Sequence, residues 1–150
     1  MKLDDKLKAK LLFEISQINK LINDSQPLLN LCNQKVPDYI EMSAAALLLH
    51  SFYNGIENVL ILIFKSYNEE VADEAKWHMG LLSKAFVSNA NRKQIFKNEL
   101  QESLEEYLKF RHFIRHAYGF QLEWPVMEEL VKKIENVWSN IKEDLNNFVS

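Results

Sequence analysis

Glycine and proline are scarce in this chain, and that scarcity constrains its fold more than any other feature. The 150 residues include three glycines and three prolines. Both residues interrupt helices, and all-β folds need turns rich in them, so the chain is expected to form long helices. Its length suits a single core, so residues 1–150 are expected to form one helical domain.

The spacing of apolar residues divides the chain into helices. Residues 3 to about 34 show helical spacing, with a break or kink at residues 23–27. Pro37 and Asp38 open a run to about Tyr67 that is apolar on most sides, which indicates a helix in the middle of a bundle. The predicted fold class is therefore all-α, an up-and-down bundle of four to five helices.

The second half of the chain continues this pattern. Residues 70–88 predict a shorter helix, and residues 88–91 predict a loop or an N-cap region. A longer helix is predicted from the nineties to about Tyr118, where Gly119 suits the position just past a helix end. Pro125 falls at a first-turn position and starts the last predicted helix.

Charge and cysteine content exclude several classes of protein. A formal net charge of -3 argues against a broadly basic nucleic-acid surface, so any anion site must be local. Cys32 is the one cysteine, which rules out a disulfide framework and fits a reducing cytoplasm. The charged N-terminal stretch does not resemble a signal peptide, and apolar runs such as residues 59–64 are too short to span a bilayer. A cytoplasmic protein without a membrane segment is expected.

The densest group of cations and imidazoles lies in residues 110–120, FRHFIRHAYGF. No carboxylate occurs between Glu106 and Glu123, so repulsion on this helix face is not relieved within the segment. An external anion would relieve it. On a helix, Arg111, Arg115 and Tyr118 share a narrow arc, and His112 and His116 form an adjacent row. The side expected to enter the core carries Phe110, Phe113, Ile114 and Ala117.

Histidine and arginine together can cleave RNA without a metal. An imidazole takes the proton from a ribose 2′-hydroxyl, the oxygen attacks the adjacent phosphodiester, and arginine stabilises the developing charge. Arg111 and His116 are five residues apart, so their directions on a straight helix differ by more than about 90°. Either the helix is distorted near Gly119, or two copies meet and combine their arginines and histidines.

These residues resemble the signature of HEPN-domain toxins of the HepT type. The matching motif is Arg111, four residues, His116, one residue and Tyr118, with His112 at the usual polar position. The segments HSFYNGIENVLILIF and LEEYLKFRHFIRHAYGFQLEW resemble the second and fourth helices of such toxins, in the expected order.

The resemblance implies a function as well as a fold. Such proteins are helical bundles that form homodimers and join both Arg–His motifs in one cleft. They are typically metal-independent ribonucleases that act on tRNA or mRNA as toxins of toxin–antitoxin pairs. Their antitoxin resembles a minimal nucleotidyltransferase and can transfer AMP to the motif tyrosine. The implied catalytic residues here are Arg111, His116 and His112, the AMP acceptor is Tyr118, and Arg115 and Lys109 are expected to bind RNA.

Other interpretations remain open. The cationic face could instead belong to a noncatalytic module that binds a nucleotide or a partner, or to a plain dimerisation domain. Arg115 could also pair with Glu106 or with a partner chain. No Glu-x-x-His, His-Glu-x-x-His or glycine-rich nucleotide loop occurs, so neither a metal nor a cofactor is expected. His50 and His78 are expected to be structural, Glu57 to hold Arg111 or a tyrosine, and Glu69 and Glu70 to be solvated.

Overall fold

A computed structural model of the chain describes residues 4–70, 77–118 and 121–150. Within these ranges the regular structure is entirely helical, which confirms the predicted all-α class. The six described α-helices are α1 Asp5–Asp24, α2 Gln26–Gln34, α3 Tyr39–Ser66, α4 Trp77–Lys84, α5 Gln101–His116 and α6 Trp124–Val149, with a 3-10 turn at Asn98–Leu100 before α5.

Residues 5–34 form two consecutive helices, divided where the sequence predicts a break or kink. The Asp4 carboxylate caps α1 by accepting a hydrogen bond from the Leu7 backbone N–H at 2.7 Å. The helix is interrupted at Ser25. Pro27 lies in the first turn of α2, where a backbone N–H would have no helical partner, so its missing N–H does not weaken the helix. Because the two halves are separate helices, the described count of six exceeds the predicted four to five.

α3 is the central helix of the bundle. Asp38 and Glu41 form a reciprocal capping box at its start, with hydrogen bonds of 2.8 and 2.9 Å. The helix is 28 residues long, and length and composition alone would let it cross a membrane. However, it packs against α1, α4, α5 and α6 and supplies the largest share of the buried core. Its apolar character is therefore that of a core helix.

The core joins α3 to the two C-terminal helices through aromatic side chains. Phe52 meets Tyr107 of α5 and Trp138 of α6 edge-on, at centroid distances of 5.3 and 6.2 Å. The polar atoms of these rings are satisfied: the Tyr107 hydroxyl donates to the Leu130 carbonyl, and the Trp138 indole N–H donates to Asn19. α5 is thereby fixed along one side while its other side faces outward.

The connection from α4 to α5 is irregular but tightly held. Arg92 is buried within it, and its guanidinium donates to both carboxylate oxygens of Glu69, at 2.6 and 3.1 Å. The same guanidinium donates to the carbonyls of Lys84 and Val87. The prediction that Glu69 is a solvated charge is therefore wrong, because this carboxylate neutralises a buried cation.

The ends of α4, α5 and α6 refine three further predictions. Residues 71–76, within the predicted helix 70–88, lie outside the described residues, and α4 ends at Lys84. α5 ends at His116, before the predicted Tyr118, because Ala117 is extended; Gly119 lies outside the described residues.

Phe113, predicted to enter the core, is 38% exposed. α6 begins at Trp124 with Pro125 in its first turn, as predicted.

Candidate functional site

Arg111 points from α5 towards α3 and α4 and is held there by three side chains. Its Nε donates to Asn54 Oδ1 at 2.9 Å, and its Nη1 lies 3.2 Å from His78 Nε2. Glu57 Oε1 lies 3.8 Å from Nε, and 14% of the arginine side chain is exposed. Within the described residues Nη2 has no hydrogen-bond partner. The guanidinium is therefore fixed in orientation and keeps donors available for a ligand.

His78 connects Arg111 to Glu57. Its Nδ1 lies 2.8 Å from Glu57 Oε2, and its Nε2 faces Arg111 Nη1. An arginine nitrogen can only donate, so Nε2 must accept, and the imidazole proton then resides on Nδ1. That N–H donates to the carboxylate. The result is a chain of hydrogen bonds from a buried negative charge to the guanidinium.

Asn54 connects the same arginine to His50. Because Asn54 Oδ1 accepts from Arg111, its Nδ2 must be a donor, and it lies 3.1 Å from His50 Nε2. His50 Nδ1 must then carry the proton. Within the described residues His50 Nδ1 and the neighbouring Tyr53 hydroxyl are buried without a hydrogen-bond partner. Arg111 thus sets the orientation of a row of polar groups along α3.

Burial and charge perturb the titration of this row. Burial raises the pKa of the Glu57 carboxyl, while the hydrogen bond from His78 and the charge of Arg111 oppose that rise. Burial also lowers the pKa of His50, and the positive charges of Arg111 and Arg115 lower it further. The pKa of Tyr53 rises mainly because its hydroxyl is buried. His50 and Tyr53 are therefore neutral at physiological pH.

The other predicted site residues on α5 are exposed. The rings of His112 and His116 meet edge-on with centroids 5.0 Å apart. Arg115 and Lys109 are exposed and form no ion pair among the described residues. Glu106, the alternative partner of Arg115, instead pairs with Lys133 at 3.3 Å. This face therefore presents cations and imidazoles to solvent without a matching carboxylate.

Arg111 and His116 do not contact each other within one chain. α5 is helical as far as His116, and no hydrogen bond, ion pair or ring contact joins the two residues in the described part of the chain. Arg111 turns inward to α3, while His116 is at the exposed end of the helix. Of the predicted catalytic residues, the fold places His112 beside His116 and keeps Arg111 apart from them.

Comparison with known protein families identifies the family of this chain. The sequence model of a family described as HepT-like proteins matches residues 44–150, which include all of α4, α5 and α6 and most of α3. This chain belongs to the HepT-like family. Comparisons of the HepT-like chain with curated proteins and with solved structures returned no match.

Tyr118 of the HepT-like chain lies two residues after the end of α5. Its backbone N–H donates to Gln121 Oε1 at 2.7 Å, and its carbonyl accepts from the Gln121 N–H at 2.9 Å. The residue is 71% exposed. Most of the Tyr118 surface is therefore accessible to solvent.

Sequence reasoning about the HepT-like chain missed part of this site. Glu57 was expected to hold Arg111 or a tyrosine, and its contact with Arg111 confirms the first of these. His50 and His78 were expected to be structural, and the sequence did not indicate that both would belong to the Arg111 network. A polar row at positions 50, 54 and 57 of a mostly apolar helix is a detectable signal. No local pattern points to His78, because its contacts are distant in sequence.

A metal or a small ligand would need a suitable group of side chains or a cavity in the described part of the HepT-like chain. In the described ranges no three histidine, cysteine, aspartate or glutamate residues lie close enough to hold a metal. A cavity of about 610 Å³ lies elsewhere, between residues 88–93 and the end of α6, and none of the predicted site residues lines it. The exposed α5 face beside Arg111 carries Lys109, His112, Arg115 and His116.

Proposed function

We propose that this HepT-like protein is the toxin of a toxin–antitoxin pair, a cytoplasmic endoribonuclease that cleaves tRNA or mRNA without a metal. The observation that supports this most strongly is the fixed Arg111 guanidinium on a helix whose exposed face carries His112 and His116. A preorganised arginine suits a phosphodiester, and imidazole is the side chain that transfers protons near neutral pH.

The proposed reaction is a transesterification. His116 removes the proton from the 2′-hydroxyl, the oxygen attacks the adjacent phosphorus, and the P–O5′ bond breaks. The leaving 5′-oxygen takes a proton from a second imidazole or from water. Arg111 stabilises the charge that develops on the phosphoryl oxygens, His112 assists as a polar helper, and Arg115 and Lys109 bind the RNA backbone.

The site is proposed to form across a homodimer. Arg111 and His116 diverge within one chain, so a single phosphate cannot contact both on the same helix. Two antiparallel copies of α5 would bring the arginine of one protomer to the histidine of its partner. The residues after His116 also suit the proposed control, because AMP attached to the exposed Tyr118 would place a phosphate near the cationic face.

The test is cleavage of total tRNA and of mRNA by purified protein. Arg111→Ala and His116→Ala are each expected to lower cleavage by a factor of about 100 or more, with unchanged circular dichroism. EDTA should have no effect. When the cognate nucleotidyltransferase and ATP are added, wild-type cleavage should stop, while the Tyr118→Phe protein should continue to cleave.

Two results would contradict the proposal. Full activity in the His116→Ala protein would exclude the proton-transfer mechanism, and loss of activity in EDTA would indicate a metal enzyme. Binding of RNA with no cleavage by the wild type would favour the noncatalytic module instead.

A further inference from the structure

We infer that His78 is a positioning residue for Arg111, a role that rests on the proposed ribonuclease function. It lies in the first turn of α4, which is far from α5 in sequence, and it lies outside the Arg–His motif. Its two ring nitrogens make different contacts: Nδ1 donates to Glu57 at 2.8 Å, and Nε2 accepts from Arg111 at 3.2 Å. The imidazole therefore bridges Oε2 of the carboxylate and Nη1 of the guanidinium.

The positions of Glu57 and Arg111 determine which side chain can connect them. Glu57 is almost fully buried on α3, and its direct approach to Arg111 is 3.8 Å, longer than a hydrogen bond. A side chain that bridges Glu57 and Arg111 must present a donor to the first and an acceptor to the second at the same time. A neutral imidazole does both, and it is rigid between its two nitrogens. His78 thus passes the orienting effect of Glu57 to the guanidinium.

A second contact shows why one partner is insufficient. Asn54 fixes Nε of Arg111, and a single hydrogen bond still allows the guanidinium to rotate about that contact. His78 fixes Nη1, so two nitrogens of one planar group are held from two different helices. The plane of the guanidinium, and with it the direction of the remaining donors at Nη2, is thereby set before RNA binds.

This role makes a specific prediction about substitutions. Glutamine offers an amide donor and a carbonyl acceptor about as far apart as the two imidazole nitrogens, but it cannot transfer a proton at neutral pH. His78→Gln is therefore expected to keep Arg111 oriented and to retain activity within a few-fold of wild type. His78→Leu, of similar volume and without polar atoms, should lower the cleavage step by about tenfold to a hundredfold, with little change in RNA affinity.

The experiment combines a spectroscopic and a kinetic measurement on the full chain. The side-chain Nε–H signal of Arg111, identified by its loss in Arg111→Lys, is followed in ¹H–¹⁵N spectra of the wild type, His78→Gln and His78→Leu. Single-turnover cleavage of tRNA is measured on the same proteins. Met79→Ala, an exposed position of α4, is the matched control and should match wild type in both measurements.

The inference predicts that the Arg111 signal is retained in His78→Gln and is shifted or broadened in His78→Leu, with activity changing in parallel. Equal loss of activity in both variants, with an unchanged Arg111 signal, would overturn it and assign proton transfer to His78. An unchanged signal and unchanged activity in His78→Leu would also overturn it. If the wild type does not cleave RNA, the ribonuclease proposal fails, and the spectra alone still decide whether His78 holds Arg111.

Discussion

The contacts of Arg111 form when the chain folds, before any ligand binds, and this lowers the entropy cost of binding. An arginine side chain that is ordered on folding does not lose about 2 kcal/mol of rotamer entropy again when it binds a phosphate. Its partners are an amide, an imidazole and a buried carboxylate, so the charge is balanced without a bidentate salt bridge that would occupy two of its five N–H donors. At the scale of the residue, the site is preorganised and still able to bind an anion.

Glu57 should give this arrangement a measurable pH dependence. Burial raises its pKa above the ordinary value of 4.5, so the folded chain holds a proton at pH values where the unfolded chain has released it. This group's contribution to stability is complete below pH 4.5 and is lost as pH rises through the raised pKa. The unfolding free energy of wild type minus that of Glu57→Gln should therefore decrease as pH rises from about 4 to about 8.

Urea unfolding at several pH values measures that difference. Glu135→Gln, at an exposed position of α6, is the control and should show a much smaller trend. An increase of the Glu57 difference with pH would mean that the His78 and Arg111 contacts outweigh burial.

At the scale of the element, the connection from α4 to α5 depends on Arg92. Its guanidinium makes hydrogen bonds with Glu69 and with backbone carbonyls of the α4 end, and it lies 5.1 Å from the centre of the Phe64 ring. Arg92 therefore replaces regular backbone hydrogen bonding across an irregular segment. Because α4 carries His78 and α5 carries Arg111, this connection also sets the distance between two site residues.

Arg92→Ala should lower the unfolding free energy by about 3–5 kcal/mol, because it removes the hydrogen-bonded cation of the partly buried Glu69 and leaves only Lys84, at 3.9 Å, as a cation beside it within the described residues. Urea denaturation followed by circular dichroism measures the loss. Lys109→Ala, which removes a cation from an exposed position, should change the unfolding free energy by less than about 0.5 kcal/mol. A loss below about 1 kcal/mol for Arg92→Ala would show that the segment is held by its apolar contacts instead.

The elements differ in how far the sequence predicts them. α3 and α6 follow from apolar periodicity and from local signals such as the Asp38 capping box and Pro125 in the first turn. The segment between α4 and α5 does not, because Arg92 and Glu69 are 23 residues apart and their pairing is a tertiary contact. The site residues differ for the same reason. Arg111 can be identified from a local motif, whereas His78 lies 33 residues away and joins the site through a tertiary contact.

At the scale of the whole molecule, a trans arrangement of the site can be separated from a cis arrangement. Arg111→Ala and His116→Ala proteins are each expected to be inactive alone. If the arginine of one protomer acts with the histidine of its partner, a mixed dimer has one complete site, so activity should return when the two proteins exchange subunits.

The two variants are unfolded together and refolded, and tRNA cleavage by the mixture is then measured. Each variant refolded alone is the control. Continued inactivity of a mixture shown by native mass measurement to contain mixed dimers would contradict the trans arrangement. A chain that stays monomeric at every concentration would contradict the dimer itself.

α3 supplies both the centre of the core and, through Asn54 and Glu57, the contacts that orient Arg111. Under the proposed toxin function, a genetic selection for cells that survive expression of this chain should therefore recover α3 changes of two physically different kinds. Some would collapse the protein and lower its abundance, and others would leave a full-length, folded and harmless product. Measuring the soluble yield of each survivor would thus separate the α3 residues needed for folding from those needed only for activity.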